Sequence, residues 1–189
     1  MRLIIVDGLD GVGKDTHAML VKKYYEKKGE TVIIRSHPAS DNFYGLKAKK
    51  ALLGKGKINR LFASIFYAFD VLRSLRLYYR KPKSDTLILV RYLMGTAYLP
   101  KSLAKFTYSV FERFVPTSEY MFFLDADPDE LLNRIKTREQ KEMFETYYEL
   151  VRVRKKAIDL ANGWYIIDTG GSVEETFACI KDVLDLLDN

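Results

Sequence analysis

The segment MRLIIVDGLDGVGKDT at residues 1–16 constrains the fold more than any other, because an apolar run gives way to three glycines and then to a lysine. Leu3 to Val6 reads as a buried strand. Gly8, Gly11 and Gly13 let the backbone turn so that its N–H groups face inward. Lys14 falls at the start of a helical pattern, where the dipole favours negative charge. The spacing matches Gly-x-x-x-x-Gly-Lys-Ser/Thr from Gly8 to Lys14, with Asp15 where the pattern has a hydroxyl. Strand, glycine-rich turn and helix in this order make a polyphosphate cradle.

Short apolar strands then alternate with longer helical patterns, without internal repeats or low-complexity segments. Strands are expected at Leu3 to Val6, Thr31 to Arg35, Thr86 to Val90, Tyr120 to Asp125 and Trp164 to Ile167. Helices are expected at Lys14 to Lys28, Tyr44 to Leu53, Ile58 to Arg80, Thr96 to Phe114, Pro128 to Lys136, Glu142 to Ala161 and Val173 to Leu187. This pattern is α/β with a parallel sheet, and 189 residues suit a single domain spanning the chain. Ile58, Leu61, Phe62, Ile65, Phe66, Phe69 and Leu72 form an apolar stripe at helical spacing, expected to pack against the sheet. Asp127, Pro128, Asp129 and Glu130 give a cap, a proline and two acids at a helix start, which explains those acids without catalysis.

The net charge is +6, with much of the excess between Lys47 and Lys83. No nucleic-acid motif accompanies that cluster, so solvated helix faces or an anionic small substrate account for it and no nucleic-acid partner is expected. The single cysteine, Cys179, cannot form an internal disulfide and is expected to be a small buried hydrophobe. The chain opens on its first strand and carries no run of bilayer length, so a cytoplasmic protein without membrane attachment is expected. His17 is expected to face outward from the first turn of its helix, and His37 to lie in a loop before Pro38.

Gly8-Leu9-Asp10-Gly11-Val12-Gly13-Lys14 resembles the phosphate loop of thymidylate kinases, and further segments follow in that family's order. They are Val90-Arg91-Tyr92, where the family has Asp-Arg-Tyr; Phe123 to Glu130 running on to Arg134-Ile135; Phe144-Glu145; and Trp164 to Asp168 with Ser172 to Glu175 after it. The resemblance implies a three-layer nucleoside monophosphate kinase fold, with a five-stranded parallel sheet of order 2-3-1-4-5 and a short lid. It implies ATP and Mg2+, a role in nucleotide biosynthesis, and transfer of the γ-phosphoryl group to a nucleoside monophosphate, with thymidylate the suggested acceptor. It also admits a homodimer.

Residue by residue, the resemblance puts Lys14 and the amides of Gly11, Val12 and Gly13 on the donor β- and γ-phosphates, and Thr16 on the α-phosphate. Asp10 meets the acceptor's sugar, Arg91 grips its phosphate, and Arg134 and Arg138 cover the transferring group. Arg35, Thr96 and Tyr98 fall in segments that border the acceptor. The family's base-reading Phe-x-x-x-Arg is replaced by Phe66 with Asp70, or by Tyr67 with Val71, so weak discrimination among pyrimidine monophosphates is expected. Ser36-His37-Pro38-Ala39-Ser40 replaces the family's Glu-Pro-Gly-Gly. The family's strand acid is Val90 here, while an acid has appeared at Asp15; both positions belong to the family's magnesium site, so Asp15 is a candidate metal ligand. The alternatives are a nucleotide-binding paralogue with little or no transfer activity, or a kinase for a different small acceptor. A regulatory GTPase is disfavoured by the lack of an Asn-Lys-x-Asp segment.

Overall fold

The structure, a computed structural model, describes residues 1–54, 56–99, 101–136 and 146–189, with the side chains of 57, 101 and 102 left aside. The elements run β1 (Arg2–Gly8), α1 (Lys14–Lys27), β2 (Val32–Ser36), α2 (Phe43–Leu52), α3 (Lys57–Ser74), β3 (Thr86–Val90), α4 (Lys101–Phe114), β4 (Tyr120–Asp125), α5 (Pro128–Lys136), α6 (Tyr147–Leu160), β5 (Tyr165–Asp168) and α7 (Val173–Asp188). A π-helical turn over Leu75–Tyr79 extends α3, and a 3-10 turn covers Met94–Tyr98.

The five strands form one parallel sheet in the order β2-β3-β1-β4-β5, with helices on both faces, as the resemblance implied. All five residues of β3 are buried, as are Leu3 to Asp7 of β1. A strand covered on both faces reads as a continuous apolar run rather than an alternating one. Val6 lies opposite Val90 on one side and Phe122 on the other, Ser36 lies opposite Val90, and Asp125 opposite Asp168. The carboxyl ends of all five strands therefore meet along one edge, where open α/β sheets bind their ligands.

Strand expectations hold to within two residues at each end, and four local differences have physical causes. The helix expected over Thr96 to Phe114 is broken in two, because Leu99 precedes Pro100 and takes an extended backbone at φ −73° and ψ 162°. The helix expected from Glu142 starts at Tyr147, where the Thr146 hydroxyl accepts the Glu149 N–H as a cap; residues 142–145 lie outside the described residues. His17 is buried rather than outward, its Nδ1 lying 2.9 Å from the Gly13 carbonyl oxygen. Cys179 is exposed.

The apolar stripe of α3 departs furthest from expectation. Ile58, Leu61, Phe62, Ile65, Phe69 and Leu72 are 42 to 71% exposed, so this face turns to solvent rather than onto the sheet. The face turned inward carries Ala63, Asp70, Val71 and Ser74. α3 packs on α2, with Phe66 edge-on to Phe43 and Tyr44 stacked on Phe69. The Asp127 carboxylate accepts the Asp129 N–H at 2.9 Å, which bears out its reading as the cap of α5.

Candidate active site

Gly8 closes β1 against β4, and a Cβ there would stand 2.3 Å from the Leu124 carbonyl oxygen, so only glycine fits. Gly11 and Gly13 take φ of 85° and 91°, the left-handed backbone that turns the loop. Gly13 precedes α1 with no side chain capping the helix. The first N–H groups of a helix need an outside acceptor, and an anion supplies one. Lys14 is 2% exposed, and its ammonium donates to the Leu9 carbonyl oxygen and lies 3.8 Å from Asp10 Oδ1. Burial, followed by the nearby Arg91 charge, pulls the Lys14 ammonium down to about 8 from its ordinary 10.5.

Arg91 follows β3 directly and has a left-handed backbone at φ 55°, unusual for a side-chain-bearing residue. The reason lies in Asp7, which is 1% exposed. Its carboxylate accepts the N–H groups of Tyr92, Leu93 and Met94 at 2.8 to 3.1 Å. These three successive amides turn toward one acceptor only if the chain reverses sharply at Arg91, and the Tyr67 hydroxyl donates to the Arg91 carbonyl oxygen on the other side. Burial raises the Asp7 carboxyl, and the three amides oppose that shift. Asp7 is absent from the expectations drawn from sequence, although an acid inside an apolar strand signals a buried group that must find partners.

Arg91 Nη1 donates to Asp15 Oδ2 at 2.9 Å and lies 3.0 Å from Ser36 Oγ, while Nε lies 4.0 Å from Asp10 Oδ1. Asp10 also accepts from the Tyr98 hydroxyl at 3.0 Å. Lys14, Asp10 and Arg91 line one cavity of about 470 Å3, and Asp15 meets Arg91 from outside it, so the four side chains alternate in charge. That volume suits a mononucleotide-sized ligand. The cavity runs from Lys14 and Arg91 between α3 and α4, past Tyr67, Thr96 and Tyr98, to Ser64, Phe111 and Arg60. Arg60 stands seven residues before Tyr67 on α3, about 10 Å along a helix.

Several expected acceptor residues lie elsewhere. Asp70 is fully buried off the cavity and accepts from the Ala39 N–H at 2.7 Å and Asn42 Nδ2 at 2.6 Å, which makes it an anchor for the loop after β2. Phe66 packs against Phe43 and Phe62 rather than lining the cavity. Arg35 forms a two-bond ion pair with Asp41 at 2.8 and 3.0 Å and lies over the Tyr78 ring. His37 is buried, and burial lowers its imidazole to about 4, so it is neutral at physiological pH. Arg134 donates to Glu130 and to the Thr169 carbonyl oxygen beyond the cradle. Arg138 lies outside the described residues. Among the described residues no group of three or more His, Cys, Asp or Glu side chains could hold a metal ion.

Two outcomes follow from this geometry. Asp7→Ala strands three buried amides and should lower the unfolding free energy by about 3 kcal/mol in urea titrations, with Asp7→Asn losing less. Lys14 must carry its proton to attract an anion. The affinity of the free protein for a polyphosphate, titrated by calorimetry with inorganic triphosphate, should therefore fall as pH rises through about 8.

The thymidylate kinase family model matches residues 6–180. The probable thymidylate kinase of Thermococcus kodakarensis is 26% identical over 84% of this chain and 83% of its own. That of Sulfurisphaera tokodaii is 28% identical over 92% of this chain and 90% of its own. Thymidylate kinase from Candida albicans superposes with a TM-score of 0.76 at 16% identity, over 99% of this chain and 92% of that one, which speaks for the fold. With a family model spanning nearly the whole chain and the cradle in place, the protein belongs to the thymidylate kinase family.

Proposed function

We propose that the protein transfers the γ-phosphoryl group of ATP to dTMP, giving ADP and dTDP. One observation carries this reading: a lysine-bearing phosphate loop and a strained arginine meet across a single acid, Lys14 and Arg91 lying 3.8 and 4.0 Å from Asp10 at one end of the cavity. The loop amides and Lys14 hold the donor phosphates. Arg91 holds the acceptor phosphate, an oxygen of which attacks the γ-phosphorus while the bond to the bridging oxygen breaks and ADP keeps that electron pair. Such transfer depends on positioning and charge neutralisation more than on covalent help from the protein.

The Thr16 hydroxyl beside the loop is a hard oxygen donor of the kind Mg2+ takes, an ion that needs only one or two protein ligands when phosphates and water complete its shell, whereas both Asp15 oxygens are taken up by Ser36 and Arg91. Bound with ATP, Mg2+ neutralises charge on the phosphates. Asp10 and Tyr98 face the acceptor's sugar, and Tyr67 and Thr96 wall the pocket. Arg60, at the far end, offers only hydrogen-bond donors and so favours a base edge rich in carbonyl oxygens. Arg134 and Arg138 are the proposed lid arginines. A cytoplasmic setting suits the exposed single cysteine. Among the described residues no helix is long and apolar enough to cross a membrane. Val90 is fully buried at the end of β3 and contributes no charge; no observation favours an inactive paralogue.

The exposed stripe of α3 supports a homodimer. It contains no charged residue, and under a two-fold axis the same stripe of a second copy is a self-complementary cover. Phe69→Glu should halve the mass seen in sedimentation, and an unchanged mass overturns the dimer.

The activity is tested by incubating the protein with ATP, Mg2+ and a panel of nucleoside monophosphates. ADP should form with dTMP. Lys14→Ala should lower kcat at least about a hundredfold, and Arg91→Ala should raise the KM for dTMP while leaving ATP affinity unchanged. An Arg91→Ala variant that loses ATP affinity and keeps its dTMP affinity reverses the assignment of the two phosphate sites.

A further inference from the structure

We infer that Asp15 is a positioning residue for the acceptor phosphate, acting through Arg91, rather than a ligand of the metal. The inference rests on the reading of Arg91 as the acceptor-phosphate arginine. Asp15 is the second residue of α1 and stands where the spacing of the cradle calls for a hydroxyl. Both of its oxygens are engaged: Oδ1 accepts from Ser36 Oγ at 2.8 Å and Oδ2 from Arg91 Nη1 at 2.9 Å. Arg91 Nη1 also lies 3.0 Å from Ser36 Oγ, which closes a triangle among the phosphate loop's helix, the last residue of β2 and the residue after β3.

A guanidinium is planar, so fixing one terminal nitrogen and the backbone fixes the plane of the whole fork. The left-handed backbone of Arg91, clamped by Asp7 and Tyr67, fixes one end of the side chain, and Asp15 with Ser36 fixes the other. Nη1 is thereby committed on the loop side, and Nη2 is left to turn with Nε toward the cavity that Arg91 lines. Although burial favours the neutral acid, the Arg91 charge and the Ser36 hydrogen bond hold the Asp15 carboxyl below its ordinary range.

An opposing effect must be weighed, because a carboxylate near the acceptor phosphate also repels it. The Asp15 side chain is 58% exposed and that of Arg91 28%. Water and salt screen both interactions, but the hydrogen bond to Arg91 is direct at 2.9 Å, whereas a phosphate on the far edge of the guanidinium is separated from Asp15 by the guanidinium itself, so orientation outweighs repulsion. The contact also ties the donor loop to the acceptor grip, so the two phosphate sites share one strut.

The test titrates dTMP by calorimetry without ATP, then varies dTMP, ATP and free Mg2+ in the coupled assay, for the wild type, Asp15→Asn and Asp15→Ser. Thermal melting checks that each variant is folded, and the two substitutions guard against a single unstable one. Both variants should weaken dTMP binding and raise its KM about fivefold to tenfold, with the ATP KM and the half-saturating Mg2+ concentration within about twofold of wild type. In an Arg91→Lys background the same substitutions should change dTMP binding less than about twofold, because lysine has no fork to orient. An unchanged dTMP affinity, an undiminished effect in the Arg91→Lys background, or a several-fold rise in the Mg2+ requirement with dTMP affinity intact would overturn the inference, the last making Asp15 a metal ligand. If the wild type binds no dTMP, the acceptor reading falls and takes this inference with it; dTMP binding that is indifferent to position 15 sinks the inference alone.

Discussion

Asp7 puts a carboxylate at the end of the central strand, where the sheet and its helices exclude water, and the N–H groups of Tyr92, Leu93 and Met94 make that burial tolerable. An uncompensated charge at this depth costs several kcal/mol, and the three hydrogen bonds offset it only if the chain after β3 folds back over β1. That reversal forces Arg91 into its left-handed backbone, a strain on the order of 1 to 3 kcal/mol that the amide cluster sustains. The arginine's direction is therefore set by the requirements of a neighbouring strand. The glycine loop after β1 and the arginine after β3 converge because Val6 pairs with Val90 in the sheet register.

The parallel sheet and the cradle were legible in the sequence because each is written locally. Leu87 to Val90 and Phe122 to Leu124 are runs with no polar side chain, which only a doubly covered strand accommodates, and the order of strands follows from the resemblance carried by the loop and by Val90-Arg91-Tyr92. The partners of single polar residues were not legible. Asp70 looked like a substitute for a base-reading arginine, yet it holds Ala39 and Asn42, contacts 31 and 28 residues away that depend on how α3 is rotated. His17 faces inward because its ring folds back on the Gly13 carbonyl, where a Cβ on Gly13 would stand a tight 3.3 Å from the ring.

The stripe on α3 shows where periodicity stops being informative. Apolar residues at three-and-four spacing establish that one face of a helix is apolar, but not what that face meets. The inner face of α3 carries mostly small residues, Ala63, Ser64, Ala68 and Ser74, beside Asp70 and Val71, where it borders the cavity and the anchored loop. A helix that turns its small residues to a cavity and its large ones to the outside inverts the usual assignment of such a pattern to the core.

Charge alternates along Lys14, Asp10, Arg91 and Asp15, and the alternation says what the site lacks. Burial, and then the Arg91 charge, lower the proton affinity of Lys14, while Asp10 lies near both cations and Asp15 pairs with Arg91, so the four side chains sum to zero. Asp7 lies deeper in the same cavity, its carboxylate satisfied by three amides and its charge favouring the protonated Lys14. A triphosphate and a monophosphate brought together there carry several negative charges that these four groups cannot balance. The balance has to come from beyond these side chains: from the loop amides and the helix dipole, and, in the proposed reaction, from a divalent cation. Four side chains that sum to zero before a phosphate arrives keep two cations close together without nucleotide, and in the proposed reaction they make a close approach of donor and acceptor conditional on the charge that the cation brings.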